Sequence, residues 1–162
     1  MMPLPLELLR KRLEKEMDIC RTINGITVTP SVVATASFPV ILTVSLEGPV
    51  GLLVDGDGTV RQTNTHSFEV TIHRDYPIRK PSVRWLTPIF HPNISPAEEK
   101  GIVCTRILLD WRADRTLYSL ISGIAHLIEN PNISEPLGFD ICRRAVSYMT
   151  QGAAYEHKNS GE

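Results

Sequence analysis

Three patterns in this chain predict an α+β domain, with a four-stranded antiparallel meander sheet, an N-terminal helix before it and further helices after it. An apolar repeat at the 3.6-residue period runs from Leu6 to Cys20. Strand-type alternation fills the middle of the chain. Helical periodicity then returns beyond a long stretch broken by prolines. Helices set apart in sequence from a meander sheet pack on one face and one end of it, and 162 residues suit one domain with a single core.

The first helix places Leu6, Leu9, Leu13, Met17 and Cys20 on one side, with Lys11, Arg12 and Lys15 near the other. Pro5 sits where a first turn tolerates proline. Cys20, on the apolar side, reads as a small buried hydrophobe, and the basic side by itself reads as a solvated face. Val28 and Val32-Val33 are short and ambiguous. Phe38, Val40, Leu42, Val44 and Leu46 alternate as a half-buried strand requires, and Gly48-Pro49 is expected to stop it. Asp55-Gly56-Asp57-Gly58 reads as a hairpin loop; a calcium loop would need further acidic ligands downstream. Phe68, Val70 and Ile72 alternate again, and Val83 and Trp85 continue the pattern.

From Leu86 to Trp111 the periodicity fades. Prolines 88, 92 and 96 argue against a regular element, and a loop this long inside one domain is usually functional. Leu117, Leu120, Ile121, Ile124, Leu127 and Ile128 then make a wide helical stripe, with Asp114 or Thr116 as N-cap and Asn130-Pro131 as the end. Ile141, Cys142, Ala145, Val146 and Met149 form the inner face of a last helix, which makes Cys142 a core residue.

The composition is 42% apolar and 22% charged with a formal charge of -1. This balance argues against nucleic-acid binding through net charge. No apolar run approaches a membrane span and the N-terminus lacks a secretory apolar core, so no membrane partner and a cytoplasmic location are expected. The three cysteines, at 20, 104 and 142, are widely spaced without a CxxC pair, which suggests free thiols and no zinc site.

Between Asp75 and Leu137 four uncommon features fall in order. Asp75-Tyr76-Pro77 with Lys80-Pro81 comes first, and His91-Pro92-Asn93 second. Gly101-Ile102-Val103-Cys104 follows, then Trp111 and Pro131-Asn132 with Pro136-Leu137. Together they resemble the ubiquitin-conjugating enzymes, and the resemblance runs from the first helix to about Met149. It implies the ubiquitin-conjugating-enzyme-like fold, a catalytic domain over residues 1–152, and a disordered tail over 153–162. It implies an enzyme of an ATP-dependent pathway, with no cofactor of its own, that takes ubiquitin or a ubiquitin-like protein from an activating enzyme as a thioester on Cys104. The acyl group then passes to a lysine amine of a target.

A thioester carrier needs an accessible thiol but no strongly depressed pKa, because transthiolation exchanges one thioester for another. A lone cysteine after Ile102 and Val103 would be read as buried; the surrounding motif makes it the carrier. By the same resemblance Asn93 supports aminolysis, either by donating to the oxyanion or by ordering its loop, although asparagine after proline also simply fixes a turn. Glu135 faces the incoming lysine and can orient it, or is an ordinary exposed glutamate. His91 looks structural, and Trp111 packs under the loop. Lys11, Arg12 and Lys15 are similar to the basic residues with which the family docks its activating enzyme.

A RING-type ligase partner is implied at Ile78, the apolar residue after Tyr-Pro, and at the turn after the tryptophan. That turn here reads Arg112-Ala113-Asp114, without the family's proline and with an added charge at Asp114. The spacing from Asn93 to Cys104 is longer than usual, with Ser95 to Lys100 inserted or rearranged, and Thr105-Arg106 replaces an apolar residue and an aspartate. These departures suggest a divergent member of prokaryotic type. Two other functions compete: a non-catalytic variant of the same fold that binds ubiquitin-like proteins, and a thiol hydrolase pairing Cys104 with His91, His66 or His126.

Overall fold

In the computed structural model, which describes residues 1–33 and 35–159 with side chains to 152, an antiparallel sheet of four strands is covered on one face by two of the helices. The order is α1 (Leu6–Arg21), β1 (Ile26–Thr29), β2 (Val40–Val54), β3 (Val60–Ile72), β4 (Ser82–Trp85), α2 (Arg106–Leu109), α3 (Leu117–Glu129) and α4 (Asp140–Asn159). The strands pair in sequence order, as the meander expectation required.

The alternation on β2 and β3 works as read. Val40, Leu42, Val44 and Leu46 point inward opposite Phe68, Val70 and Ile72, while Ile41, Thr43 and Ser45 face outward. Leu9, Leu13, Met17 and Cys20 of α1, with Leu120, Ile121 and Ile124 of α3, close the core over that face. Each such aliphatic side chain contributes about 1.5–3 kcal/mol by leaving water. Leu6, placed on the apolar side by the period, is partly exposed at the helix start.

Two expectations need correction. Gly48-Pro49 does not stop the strand. The pairing slips from Glu47↔Thr65 to Gly51↔Thr63, and β2 runs on to Val54. Gly48 takes φ +126° to make this bulge, a position where proline forfeits no ladder bond. The Pro49 carbonyl accepts from His66 Nε2 at 2.8 Å, which ties the bulge to β3. Nor is 86–111 without regular structure, since a 3₁₀ turn covers Ala97–Glu99 and α2 begins two residues after Cys104.

The β2–β3 connection is the expected hairpin, closed by Asp55 N–H to Thr59 O at 2.9 Å. Thr116, rather than Asp114, caps α3: its hydroxyl accepts from Ser119 N–H at 3.1 Å while Thr116 N–H donates to Ser119 Oγ at 3.3 Å. The backbone of α4 includes 153–159, and 160–162 lie outside the described residues. The expected tail of 153–162 thus falls on residues whose side chains or whole placement are not described.

One buried charge links three parts of the fold. Glu16, 5% exposed, accepts from Tyr76 OH at 2.9 and 3.1 Å and from Leu117 N–H at 3.1 Å. It therefore sits at the N-terminus of α3, where a carboxylate is favoured, and Arg12 Nε lies 3.6 Å away. Burial pushes its carboxyl up from the ordinary range, against the pull of Tyr76 and Arg12.

Candidate active site

The loop that carries Cys104 is held by a short backbone ladder. Asn93 O accepts from Cys104 N–H at 2.9 Å, Ile94 bridges to Val103, and Ser95 N–H donates to Ile102 O at 2.9 Å. His91 anchors the near side. Its Nδ1 accepts from Asn93 N–H at 3.0 Å and its Nε2 donates to Leu127 O at 2.8 Å, which fixes the neutral Nε2–H tautomer. Both ring nitrogens are spent, so His91 has no free atom to serve as a base.

Burial pushes the His91 imidazole down to about 4, and burial likewise lowers His66. Because the folded-state pKa lies below the unfolded value near 6.5, the stability His91 contributes is complete above pH 6.5. It is lost as pH falls from there towards 4. The expected cost is about 2 kcal/mol by pH 5 and about 3 kcal/mol below pH 4. His66 adds to this slope, and Glu16, with its raised carboxyl, opposes it. Urea midpoints at pH 7 and pH 5 test the sign; a higher midpoint at pH 5 would contradict it.

Asn93 is 2% exposed and its side chain is fully engaged. Nδ2 donates to Asn132 O at 3.0 Å and to Glu135 O at 3.2 Å, while Oδ1 accepts from Asn132 N–H at 2.8 Å. Opposed donors and acceptors on the loop settle the amide orientation. Leu137 N–H to Pro92 O, 2.9 Å, pins the same loop further along. Residues 132–137 therefore arch beside Cys104, with the exposed Glu135 side chain at the edge of the site.

Cys104 is the half-buried thiol of the three; Cys20 and Cys142 have no exposed surface. It borders two grooves. The first, about 450 Å³, lies between α2, α3 and the 132–135 loop and gathers Asn93, Cys104, Asp110, Arg115, His126 and Glu135. The second, about 390 Å³, lies on the β4 side. Arg106 lines the same groove as Cys104 and pairs with Asp110 at 3.2 Å across one turn of α2. Asp110 and Arg115 are absent from the sequence reading of the site, and His126 enters it only as a partner for Cys104 in the thiol-hydrolase alternative. They reach the groove because α2 and α3 pack closely there, with Gly123 leaving room for Ile107.

The residues expected to meet partners lie elsewhere. Lys11 and Lys15 are exposed on α1. Arg12 is not a free cation: Nη2 donates to Ala113 O at 3.1 Å and Arg115 O at 3.0 Å, and its guanidinium lies 5.7 Å from the Tyr76 ring. Trp111 Nε1 donates to Pro77 O at 2.8 Å and brings the 111–115 segment against the Tyr76-Pro77 turn. Ile78, 38% exposed, and Asp114, exposed and paired with Arg112 at 3.8 Å, thereby lie on adjoining segments, and neither lines Cys104's grooves. Among the described residues no cluster of side chains could hold a metal ion, and no helix is long and apolar enough to cross a membrane.

The family model described as ubiquitin-conjugating enzyme matches residues 47–160. Bovine ubiquitin-conjugating enzyme E2 T is 34% identical over 94 residues, which are 55% of this chain and 47% of that protein. The chain thus matches about half the length of the curated relatives. Among solved structures, Saccharomyces cerevisiae Ubc12 superposes with a TM-score of 0.64 at 28% identity, covering 88% of this chain and 72% of that one. The E2 domain of a ubiquitin-conjugating enzyme from Toxoplasma gondii gives 0.67 at 21% identity, covering 88% and 90%, a likeness of fold alone. These proteins are eukaryotic, so the suggestion of a prokaryotic source gains nothing from them.

Proposed function

Because the chain belongs to the ubiquitin-conjugating enzyme family, we propose that its residues 1–152 form a catalytic domain that carries ubiquitin or a ubiquitin-like protein as a thioester on Cys104. The Cys104 thiolate attacks the thioester presented by an activating enzyme, and the activating enzyme's thiolate leaves. A lysine amine of the target then attacks the same carbonyl. The C–N bond forms, the C–S bond breaks, Cys104 leaves as thiolate, and the amine proton passes to solvent or to Glu135. Asn93 holds the 132–135 loop in place for that second step, and Glu135 orients the amine.

The observation that carries this reading is the placement of Cys104 as the half-exposed thiol between two grooves, bonded through its backbone to Asn93. The test is charging with an activating enzyme, ATP and a ubiquitin-like protein, resolved without reductant beside Cys104→Ala. Loss of the adduct with reductant and with the variant supports the carrier. A function retained by Cys104→Ala would favour the non-catalytic binding module.

Lys11 and Lys15 are the exposed cations offered to the activating enzyme. Reversing both to glutamate is expected to slow charging by roughly ten-fold at low salt, with the gap closing as salt rises. An unchanged rate at low salt would remove the docking role. Arg12 is unsuited to this test, because its loss also releases the Ala113 and Arg115 carbonyls and the partner of Glu16. A RING-type ligase would meet Ile78 and the Asp114 segment, with Asp114 altering its footprint. The setting proposed for this chemistry is the cytoplasm.

A further inference from the structure

The groove on the β4 side of Cys104 differs in kind from the one towards α3. Its walls are apolar, built from Val83, Ile102, Val103, Leu108 and Leu137. Its charged lining residues, among those described, are Lys80 and Lys100, with no carboxylate. The first groove mixes signs, with Asp110 and Glu135 beside Arg106 and Arg115.

The backbone fixes where these cations stand. Lys100 takes φ +71°, a left-handed conformation that glycine or asparagine adopts more easily, and Gly101 follows at φ +59°. A Cβ on Gly101 would lie 2.5 Å from Trp85 O, so the chain must turn there with glycine. Trp85 N–H to Gly101 O, 2.8 Å, and Ser95 Oγ to Glu99 O, 2.6 Å, clamp the turn on both sides. The segment from Ser95 to Lys100 therefore presents a lysine at a position where the turn itself gives lysine no advantage. Across the groove Lys80 Nζ lies 3.4 Å from Leu108 O, the end of α2.

We infer that this second groove reads the residues flanking the acceptor lysine and selects acceptors with acidic and apolar neighbours. The inference rests on the carrier reading of Cys104. The 132–137 loop links the two grooves, with Glu135 on the first and Leu137 on the second. An amine held at Glu135 places its neighbouring residues over Leu137, since two extended residues span about 7 Å. An apolar side chain then meets Val83, Ile102 and Leu108, and a carboxylate meets Lys80 and Lys100.

The test uses two short peptides, each with one lysine between leucines, one flanked further by glutamates and the other by arginines. In an amide NMR titration of the uncharged protein, the acidic peptide is expected to shift Val83, Gly101, Ile102 and Leu108, and the basic one to leave them. Ubiquitin bearing a C-terminal mercaptoethanesulfonate thioester is then used to load Cys104 by exchange. Discharge to the acidic peptide should be roughly five-fold faster than to the basic one at low salt. Within Lys80→Glu/Lys100→Glu the ratio of the two rates should invert, and in the unaltered protein it should approach unity at high salt.

Equal shifts from both peptides, or none at millimolar concentration, would overturn the inference. So would a rate ratio of one at low salt. If Cys104 loads while the peptides behave alike, the groove assignment falls and the carrier stands. If the acidic peptide binds while Cys104 refuses the acyl group, the carrier reading falls and the groove remains a site for acidic segments.

Discussion

Cys104→Ala is expected to abolish the reductant-sensitive adduct completely, while Cys20→Ala and Cys142→Ala leave its yield unchanged in whatever fraction of each variant folds. The contrast follows from burial. Cys20 and Cys142 are fully enclosed, and burial pushes both thiols up to about 11. At neutral pH each is thiolate in only about one molecule in 10⁴, and neither can be approached by a protein C-terminus. Cys104 stands half-exposed at the junction of two grooves. Cys104→Ser sharpens the test: a serine hydroxyl stays protonated near neutral pH and is a poorer nucleophile than a thiolate, so charging should be slow, but the product is an ester that survives thiol reductant and yields to base. A reductant-sensitive adduct on Cys104→Ala would assign the carrier to another residue and end the proposal.

Much of this was legible in the chain because the signals are periodic or local. Leu42, Val44 and Leu46 opposite Phe68 and Val70 form a period-two pattern that only a half-buried sheet satisfies. The α3 stripe from Leu117 to Ile128 is buried throughout. What escaped depends on partners far along the chain. Arg12 stands on the basic side of a helix and reads as solvated, yet it bonds to carbonyls about a hundred residues on. Glu16 is buried by a tyrosine 60 residues away and an amide 101 residues away. The one-turn α2 is too short to carry a periodic signal. Gly48-Pro49 reads as a stop because proline and glycine end strands more often than they bulge them.

Asn93→Ala is expected to leave charging within a few-fold of normal and to slow discharge to lysine by about 10²-fold. Two routes lead to that loss, and the hydrogen bonds separate them. Both Nδ2 hydrogens go to the Asn132 and Glu135 carbonyls, so an oxyanion gains a donor only if one of those bonds opens. Ordering of the 132–135 loop, which sets the position of Glu135, needs no such change. If ordering is the route, Asn93→Ala should speed amide exchange at Asn132, Ser134 and Leu137. Pro136→Gly, which loosens the same loop without touching Asn93, should then slow discharge in parallel. Asn93→Asp keeps the acceptor for Asn132 N–H but sets a carboxylate against two carbonyls, and should discharge as poorly as alanine. Faster exchange in Pro136→Gly with undiminished discharge would exclude ordering and leave direct donation by Nδ2 as the role of Asn93. Charging lost as severely as discharge in Asn93→Ala would contradict both, because it would place the asparagine's work before the amine arrives.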